Sequence, residues 1–237
     1  MEHPSQLPTP GTVAATKGSP VARGAIVGLI VGVAAAAAVV ATSDGRTKHA
    51  IARPAEPDAG AQYIADWRRS QLGTWKVVLH WQRIVGSSRL DDEIRTAQRP
   101  PDRLSVALGS VDARRGDRRL SCASDADGHL HCRDAGAAPP YDQDVAGNEA
   151  VLRGQLLGPS RLYDVTATSS HCYDLRLRFS YPVPPYGRRA RFCFDEATGA
   201  PTLRDIDRVE GRDVQEATSV SGDVTDADLA PPPGAGG

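Results

Sequence analysis

CYDLRLRF, at residues 172–179, alternates apolar and polar side chains along its whole length. Such a period of two is typical of a strand with one buried face. ARFCFD, at residues 190–195, alternates in the same way, and placing Cys172 opposite Cys193 in an antiparallel pair also sets Tyr173 opposite Phe192. Register and thiol chemistry therefore agree, and we predict two neighbouring antiparallel strands joined by a Cys172–Cys193 disulfide.

A second hairpin of this kind is predicted earlier in the chain. LSC and LHC, ending at Cys122 and Cys132, flank the turn DADG at residues 125–128, and a three-residue loop with a left-handed Gly commonly closes such hairpins. This register places Cys122 opposite Cys132 and favours a second disulfide. The alternative is a metal site that adds His129 and His131 to the two thiols. On a strand these histidines face away from Cys132, so we predict the disulfide and no metal site.

One segment, residues 24–42 (GAIVGLIVGVAAAAAVVAT), carries no charge and is long enough to cross the hydrocarbon core of a bilayer. Lys17 and Arg23 precede it, as in a signal peptide, and Val39-x-Ala41 offers a cleavage pattern. The apolar run exceeds the usual signal core of about 7–15 residues, so we predict a retained transmembrane anchor, with a cleaved signal as the alternative. No cysteine directly follows the run, which excludes lipid attachment there.

The four cysteines all follow this segment, and an even number favours disulfides in an oxidising compartment. Basic residues flank the apolar run on both sides, so the flanking charge does not decide its orientation. We therefore predict a single-pass cell-membrane protein with a cytoplasmic N-terminus and an extracytoplasmic C-terminal domain. The 237 residues carry a net charge of −1, which argues against a nucleic-acid partner because nucleic-acid binders show a basic excess.

Composition divides the rest of the chain. Residues 1–23 are rich in Pro, Ser, Thr and Gly and are predicted to form a disordered cytoplasmic tail, and residues 43–57 a stalk. Residues 58–229 form the predicted folded domain, followed by a second disordered tail at residues 230–237.

Helical periodicity within the domain covers residues 58–71 and residues 142–157, the second with the apolar stripe Val145, Ala150, Leu152 and Leu156. Short alternating segments separated by Gly and Pro predict strands, of which residues 74–84 are the clearest. The order helix, strands, helix, strands gives an α+β fold class, in which an antiparallel sheet packs on helices.

Three stretches carry a resemblance to a known family: AQRPPDRL at residues 97–104, the Cys122–Cys132 hairpin, and CFDEATGAP at residues 193–201. Together with the layout of residues 58–229, they resemble the LolA/LppX-type extracytoplasmic proteins of actinobacteria. The resemblance implies a half-barrel, a curled antiparallel sheet packed on helices around an apolar cavity, here preceded by the predicted transmembrane helix. LppX-type proteins are lipoproteins, and this chain lacks the lipid-bearing cysteine. Because the cavity of that family has no short signature, no binding residue is transferred from it.

Common catalytic motifs are absent from the sequence, which contains no G-x-S-x-G, no phosphate-binding Gly-rich loop and no H-E-x-x-H. His80 falls on the polar side of its strand, where a solvated or hydrogen-bonded histidine is the favoured interpretation. His171 could activate the neighbouring Cys172 only if that thiol were free. We therefore predict that the protein is not an enzyme and uses no cofactor.

Arginines crowd the segment around the second cysteine pair. Arg176 and Arg178 share a strand face, and Arg188, Arg189 and Arg191 follow. One interpretation is attraction to anionic lipid headgroups, worth about 1 kcal/mol per cation near a bilayer surface. The other is a solvated face balanced by nearby aspartates, which the near-zero net charge favours.

Two hypotheses for function follow. The first is a membrane-anchored binding module that holds a lipid or other amphiphile in the half-barrel cavity, with Trp75, Leu79 and Leu175 in the cavity wall. The second is a non-catalytic structural or protein-interaction domain of the cell envelope with a filled core. The helix at residues 142–157 distinguishes them, because its apolar stripe removes the cavity if it packs into the sheet.

Overall fold

The computed structural model describes residues 58–125 and 129–231, which lie within one compact unit of the chain, residues 53–237. No helix in these two described ranges is long and apolar enough to span a membrane. The predicted N-terminal tail, the anchor at residues 24–42 and the stalk lie outside the described residues, as do the turn at residues 126–128 and most of the predicted C-terminal tail. These assignments stay predictions.

Helix α1 (Ala59–Leu72) begins where Asp58 accepts a hydrogen bond from the Gly60 amide at 2.8 Å. A carboxylate at this position satisfies one of the amides that the first helical turn leaves unpaired. Helix α2 (Tyr141–Leu156) follows two prolines, and the short helix α3 (Asp226–Leu229) comes near the end of the described part. The bounds of α1 and α2 agree with the two predicted helices to within one residue.

Eleven antiparallel strands of the described chain form one sheet, in the spatial order β6-β5-β4-β3-β2-β1-β11-β10-β9-β8-β7. Two meanders, β1 to β6 and β7 to β11, join where β1 pairs with β11, and β6 and β7 form the edges. The sheet is therefore curled but unclosed, as the half-barrel resemblance implies. The strand bounds are β1 (Trp75–Val85), β2 (Ser88–Arg99), β3 (Asp102–Ala107), β4 (Ser110–Arg115), β5 (Arg118–Ser124), β6 (Leu130–Ala137), β7 (Tyr163–Ser169), β8 (Cys172–Leu177), β9 (Arg189–Phe194), β10 (Pro201–Arg208) and β11 (Gly211–Ser221).

Helices α1 and α2 pack on one face of this sheet, which we call the helix face; the opposite face is the open face. Helix α2 connects the two edge strands, and Leu152 and Leu156 on its apolar side join α1 in the core that covers the helix face over β7 to β10. Tyr63 of α1 lies at the centre of this core, with ring centroids 5.6 Å from Tyr173 and 5.5 Å from Phe192. Burial raises the pKa of the Tyr63 hydroxyl.

Leu152 and Leu156 of the predicted apolar stripe of α2 pack into this core and Val145 is also buried, but the fourth predicted member of the stripe was wrong. Ala150 is exposed, and Glu149 takes the buried position because it lies four residues after Val145 on the same side of the helix. The Glu149 carboxylate accepts hydrogen bonds from Arg153 at 2.7 Å and from Arg68 of α1 at 2.6 Å. These hydrogen bonds lower its pKa and connect the two helices.

Both predicted disulfides are confirmed. Cys122 bonds Cys132 between β5 and β6, and Cys172 bonds Cys193 between β8 and β9, with each cysteine directly opposite its partner. His131 lies 2.7 Å from an Asp125 carboxylate oxygen. Among the described residues, no group of three or more His, Cys, Asp or Glu side chains is placed to hold a metal ion.

Candidate functional site: an apolar groove on the open face

The buried apolar side chains change sides within the first meander, between β1 and β3. Trp75 pairs with Gln98, and Gln98 with Arg103, so this row of side chains points to the helix face. Leu104, the next residue of β3, therefore points to the open face, and its register partners on β4 and β5 do the same. The open face of this meander thus carries a buried apolar cluster of its own: Leu104, Val111, Ala113 and Cys122.

A groove of about 670 Å³ lies on the open face where β1, β2, β3 and β11 approach α3. Its volume falls within the roughly 300–1,000 Å³ that is usual for small-molecule sites. The register sets Ala97 opposite Leu104, and Arg95 opposite both Val78 and Val106. The apolar floor of the groove therefore consists of Val78, Ala97, Leu104 and Val106.

Helix α3 forms one wall of the groove and is held there by one apolar anchor and several polar contacts. Leu229 is fully buried, and its carbonyl accepts a hydrogen bond from Arg115. Asp228 lies 3.0 Å from the Lys76 ammonium and accepts hydrogen bonds from the Thr225 amide and hydroxyl, each at 2.8 Å. The Thr225 hydrogen bonds and Lys76 lower the pKa of Asp228 to about 2.

Charged groups surround the apolar floor. The Lys76–Asp228 pair lines the groove beside α3, and Arg95 lines it on β2, where its guanidinium binds Glu93 at 2.6 Å. The Arg95 side chain is 72% exposed, so its ion pair with Glu93 stabilises the fold little and can be exchanged for another anion. The arrangement is chemically suited to a molecule with an apolar body and a charged or polar end.

The three residues predicted to line a cavity lie elsewhere. Trp75 is buried on the helix face and donates its indole N–H to the Ser70 carbonyl at 2.8 Å. Leu79 packs beside Trp75 in the same apolar cluster, and Leu175 lies in the core under α1 and α2. The structure does not bring Leu175 together with the other two, and Trp75 and Leu79 are not among the described residues that line the groove.

A charged cluster that the sequence analysis missed lies between α1 and the turn that joins β7 and β8. Asp66 accepts a hydrogen bond from the Tyr173 hydroxyl at 2.6 Å, and the same oxygen lies 2.8 Å from Nδ1 of His171. Arg69 lies 3.4 Å from the other carboxylate oxygen. Burial and the Asp66 contact raise the pKa of Tyr173. A carboxylate three residues after Tyr63, on the buried side of α1, is the sequence signal that could have revealed it.

The two histidines that the sequence analysis weighed for catalysis have ordinary surroundings. Because Cys172 is in a disulfide, His171 adjoins no free thiol and instead contacts Asp66. His80 lies on the open face of β1, 3.2 Å from Asp91, and is well exposed. The favoured interpretation of His80, a solvated and hydrogen-bonded strand histidine, agrees with this position.

Comparisons with known proteins give fold neighbours only. No family model matches the chain, and no curated protein matches it. The solved structures to which it is similar include MucB in complex with MucA(peri), at 13% identity over 73% of this chain and with a TM-score of 0.37. This chain spans 60% of the length of that matched chain.

Two further solved structures are similar to this chain. The LolA superfamily protein NE2245 from Nitrosomonas europaea is 7% identical over 73% of this chain and 97% of its own, with a TM-score of 0.30. LprF from Mycobacterium bovis is 15% identical over 76% of this chain and 99% of its own, with a TM-score of 0.33. A protein described as a member of the LolA superfamily is thus among the solved structures to which this chain is similar.

Proposed function

We propose that residues 58–229 form an extracytoplasmic binding module, tethered by the segment at residues 24–42, that holds a lipid or other amphiphile. The observation that carries the proposal is the groove on the open face, which combines an apolar floor with charged groups at its edge. Burial of apolar surface supplies most of the affinity for such a ligand, at about 25 cal/mol per Å². Two disulfides support the extracytoplasmic placement, since disulfides persist in oxidising compartments.

The site differs from the one that the sequence suggested. The helix face over β7 to β10 is filled by α1 and α2, as the second hypothesis required of a packed domain. The groove lies on the other face and beside α3, so a filled helix face and a ligand site coexist in this fold. A structural or protein-interaction domain of the cell envelope remains the second candidate, supported by that packed core.

Native mass spectrometry of the full chain, extracted with a gentle detergent, tests the proposal directly. A co-purifying amphiphile released by organic solvent is the expected result. Binding is then measured by titrating an apolar fluorescent probe that brightens when it leaves water, such as a naphthylamine dye, into the delipidated protein.

A matched pair of variants locates the binding site. Val106→Asp adds a carboxylate to the apolar floor, and we expect it to weaken probe binding about tenfold or more, because a charge at an apolar contact is costly to desolvate. Ala107→Asp places the same group one residue further along β3, on the other face of the sheet, and should leave binding unchanged. Equal binding by the two variants and the parent would refute the groove as the site, and a protein free of any amphiphile would favour the second candidate.

A further inference from the structure

One end of the sheet, which we call the hairpin end, displays exposed apolar side chains. It includes the connections β1–β2, β8–β9 and β10–β11. Nine large apolar side chains are well exposed in the described part of the chain, and five of them lie in or beside these connections: Val85, Phe179, Tyr181, Val183 and Val209. Single exposed apolar residues are ordinary, whereas a gathering at one place marks an interaction site.

The register places the three connections at the same end. Val85 lies opposite Ser88, and Arg208 opposite Gly211, so each pair flanks a tight turn beside the other. Asp207 lies opposite Arg189, which brings the β8–β9 connection alongside them. From β2 to β8 the sheet has five steps between strands, so the row extends roughly 24 Å at about 4.8 Å per step.

Hydrogen bonds and ring packing hold the β8–β9 connection against the core, below its exposed apolar residues. The Tyr163 hydroxyl donates a hydrogen bond to the Gly187 carbonyl at 3.1 Å and accepts one from the Tyr186 amide at 3.0 Å. The Tyr186 ring packs into the core, 5.4 Å from that of Phe192. The segment SYPVPP at residues 180–185 is stiffened by proline, so its exposed side chains stay exposed at little entropic cost.

Two unpaired arginines lie directly behind this connection, on the open face. Arg176 of β8 is the register partner of Arg189 of β9, and like charges directly opposite each other destabilise a sheet. Within the described residues neither has a carboxylate at ion-pair distance. The surrounding aspartates are each bound by another arginine, in the pairs Asp164–Arg161, Asp174–Arg191, Asp205–Arg212 and Asp207–Arg188.

We propose that the hairpin end docks on the surface of a bilayer that contains anionic lipids. The apolar tips enter the interface, and Arg176 and Arg189 meet the lipid phosphates. Separate apolar tips beside surplus guanidinium groups suit a headgroup layer, where aromatic rings and cations both find partners. The proposal does not depend on the groove, which lies around Lys76 to Val78, toward the opposite end of β1.

The test uses the full chain reconstituted in vesicles. The four natural cysteines are paired, so Val183→Cys supplies one free thiol for an environment-sensitive fluorophore. Val151→Cys, at an exposed valine on α2, is the matched control. We expect the emission of the label at position 183 to shift to shorter wavelength in vesicles that contain phosphatidylglycerol. The shift should be smaller in vesicles of pure phosphatidylcholine. The label at position 151 should keep its aqueous emission in both.

The arginines are tested in the same labelled protein. Each cation near an anionic surface contributes about fivefold, so the variant Arg176→Gln/Arg189→Gln should lower the ratio of inserted to water-exposed label about thirtyfold. Arg133→Gln, which removes an exposed arginine on β6, should leave the ratio unchanged. Aqueous emission at position 183 in every vesicle would overturn the proposal, as would an equal shift at position 151 or a shift that appears only when another protein is added.

Discussion

Replacing Gly187 by alanine tests how closely the β8–β9 connection returns onto β10. Gly187 has φ +63°, and a Cβ built on it would lie 2.2 Å from the carbonyl oxygen of Asp207 and 2.9 Å from the carbonyl carbon. That oxygen already accepts a hydrogen bond from the Arg188 amide at 2.7 Å, so it cannot move away without breaking a backbone contact.

The turn between β4 and β5 supplies the matched control. Gly116 has φ +55°, and a Cβ there would meet no atom within 4 Å. Both variants incur the left-handed backbone cost of about 1–2 kcal/mol, and both gain the same small benefit from a stiffer unfolded chain. Only Gly187→Ala adds a steric overlap, for which overpacking in folded proteins suggests about 1–3 kcal/mol.

We therefore expect Gly116→Ala to lower the free energy of unfolding by about 1–2 kcal/mol and Gly187→Ala by about 2–5 kcal/mol. The measurement is urea unfolding of the two variants and the parent, with disulfides intact. If the free energy of unfolding depends on urea concentration with the same slope in all three proteins, the unfolding reaction is the same. Equal losses in the two variants would refute the close approach of Gly187 to Asp207.

Three further predictions concern pH and the second disulfide. The pKa of Asp228 is lowered to about 2 from 3.8, so the stability that this carboxylate contributes is complete above about pH 4 and is lost as the pH falls toward 2. Over that window, hydrogen exchange in α3 should accelerate relative to its intrinsic rate. Burial raises the pKa of Tyr63 and Tyr173 above 10, so the unfolded chain releases these protons at a lower pH than the folded protein does. The free energy of unfolding should therefore fall as the pH rises past 10, and it should fall less steeply in Tyr63→Phe. Replacing Cys172 and Cys193 together by alanine should cost about 2–4 kcal/mol in urea unfolding, because the bridge restricts the unfolded chain.

Each of these has a result that would contradict it. A ratio of measured to intrinsic exchange in α3 that stays constant from pH 5 to pH 2 would show that Asp228 does not hold the helix. Alkaline profiles that coincide for the parent and Tyr63→Phe would show that the Tyr63 hydroxyl is not buried in the native state. A double cysteine variant as stable as the parent would remove the structural role of the second disulfide.

Much of the local structure could be predicted because it depends on near neighbours in the sequence. Alternation along residues 172–179 and 190–195 specifies two strands, and with both cysteines on one face it also specifies their register. The bounds of α1 and α2 follow from periodicity and from residues that start or stop a helix. The sequence also held an unused signal for the groove: Val78 interrupts the alternation of β1, and the structure places it in the groove floor.

The sequence alone determined an antiparallel sheet with two helices and two cross-strand disulfides, since the spacing of side chains along each strand decides which face they share. The tertiary structure decided which face of the sheet packs on the helices and which face stays open. Pairing of β1 with β11 joins Lys76 to Ser221, α2 crosses to one side, and α3 packs on the other, which leaves the groove beside it. Such contacts between residues far apart in the chain depend on how whole faces pack together, and this packing cannot be predicted from a local sequence pattern.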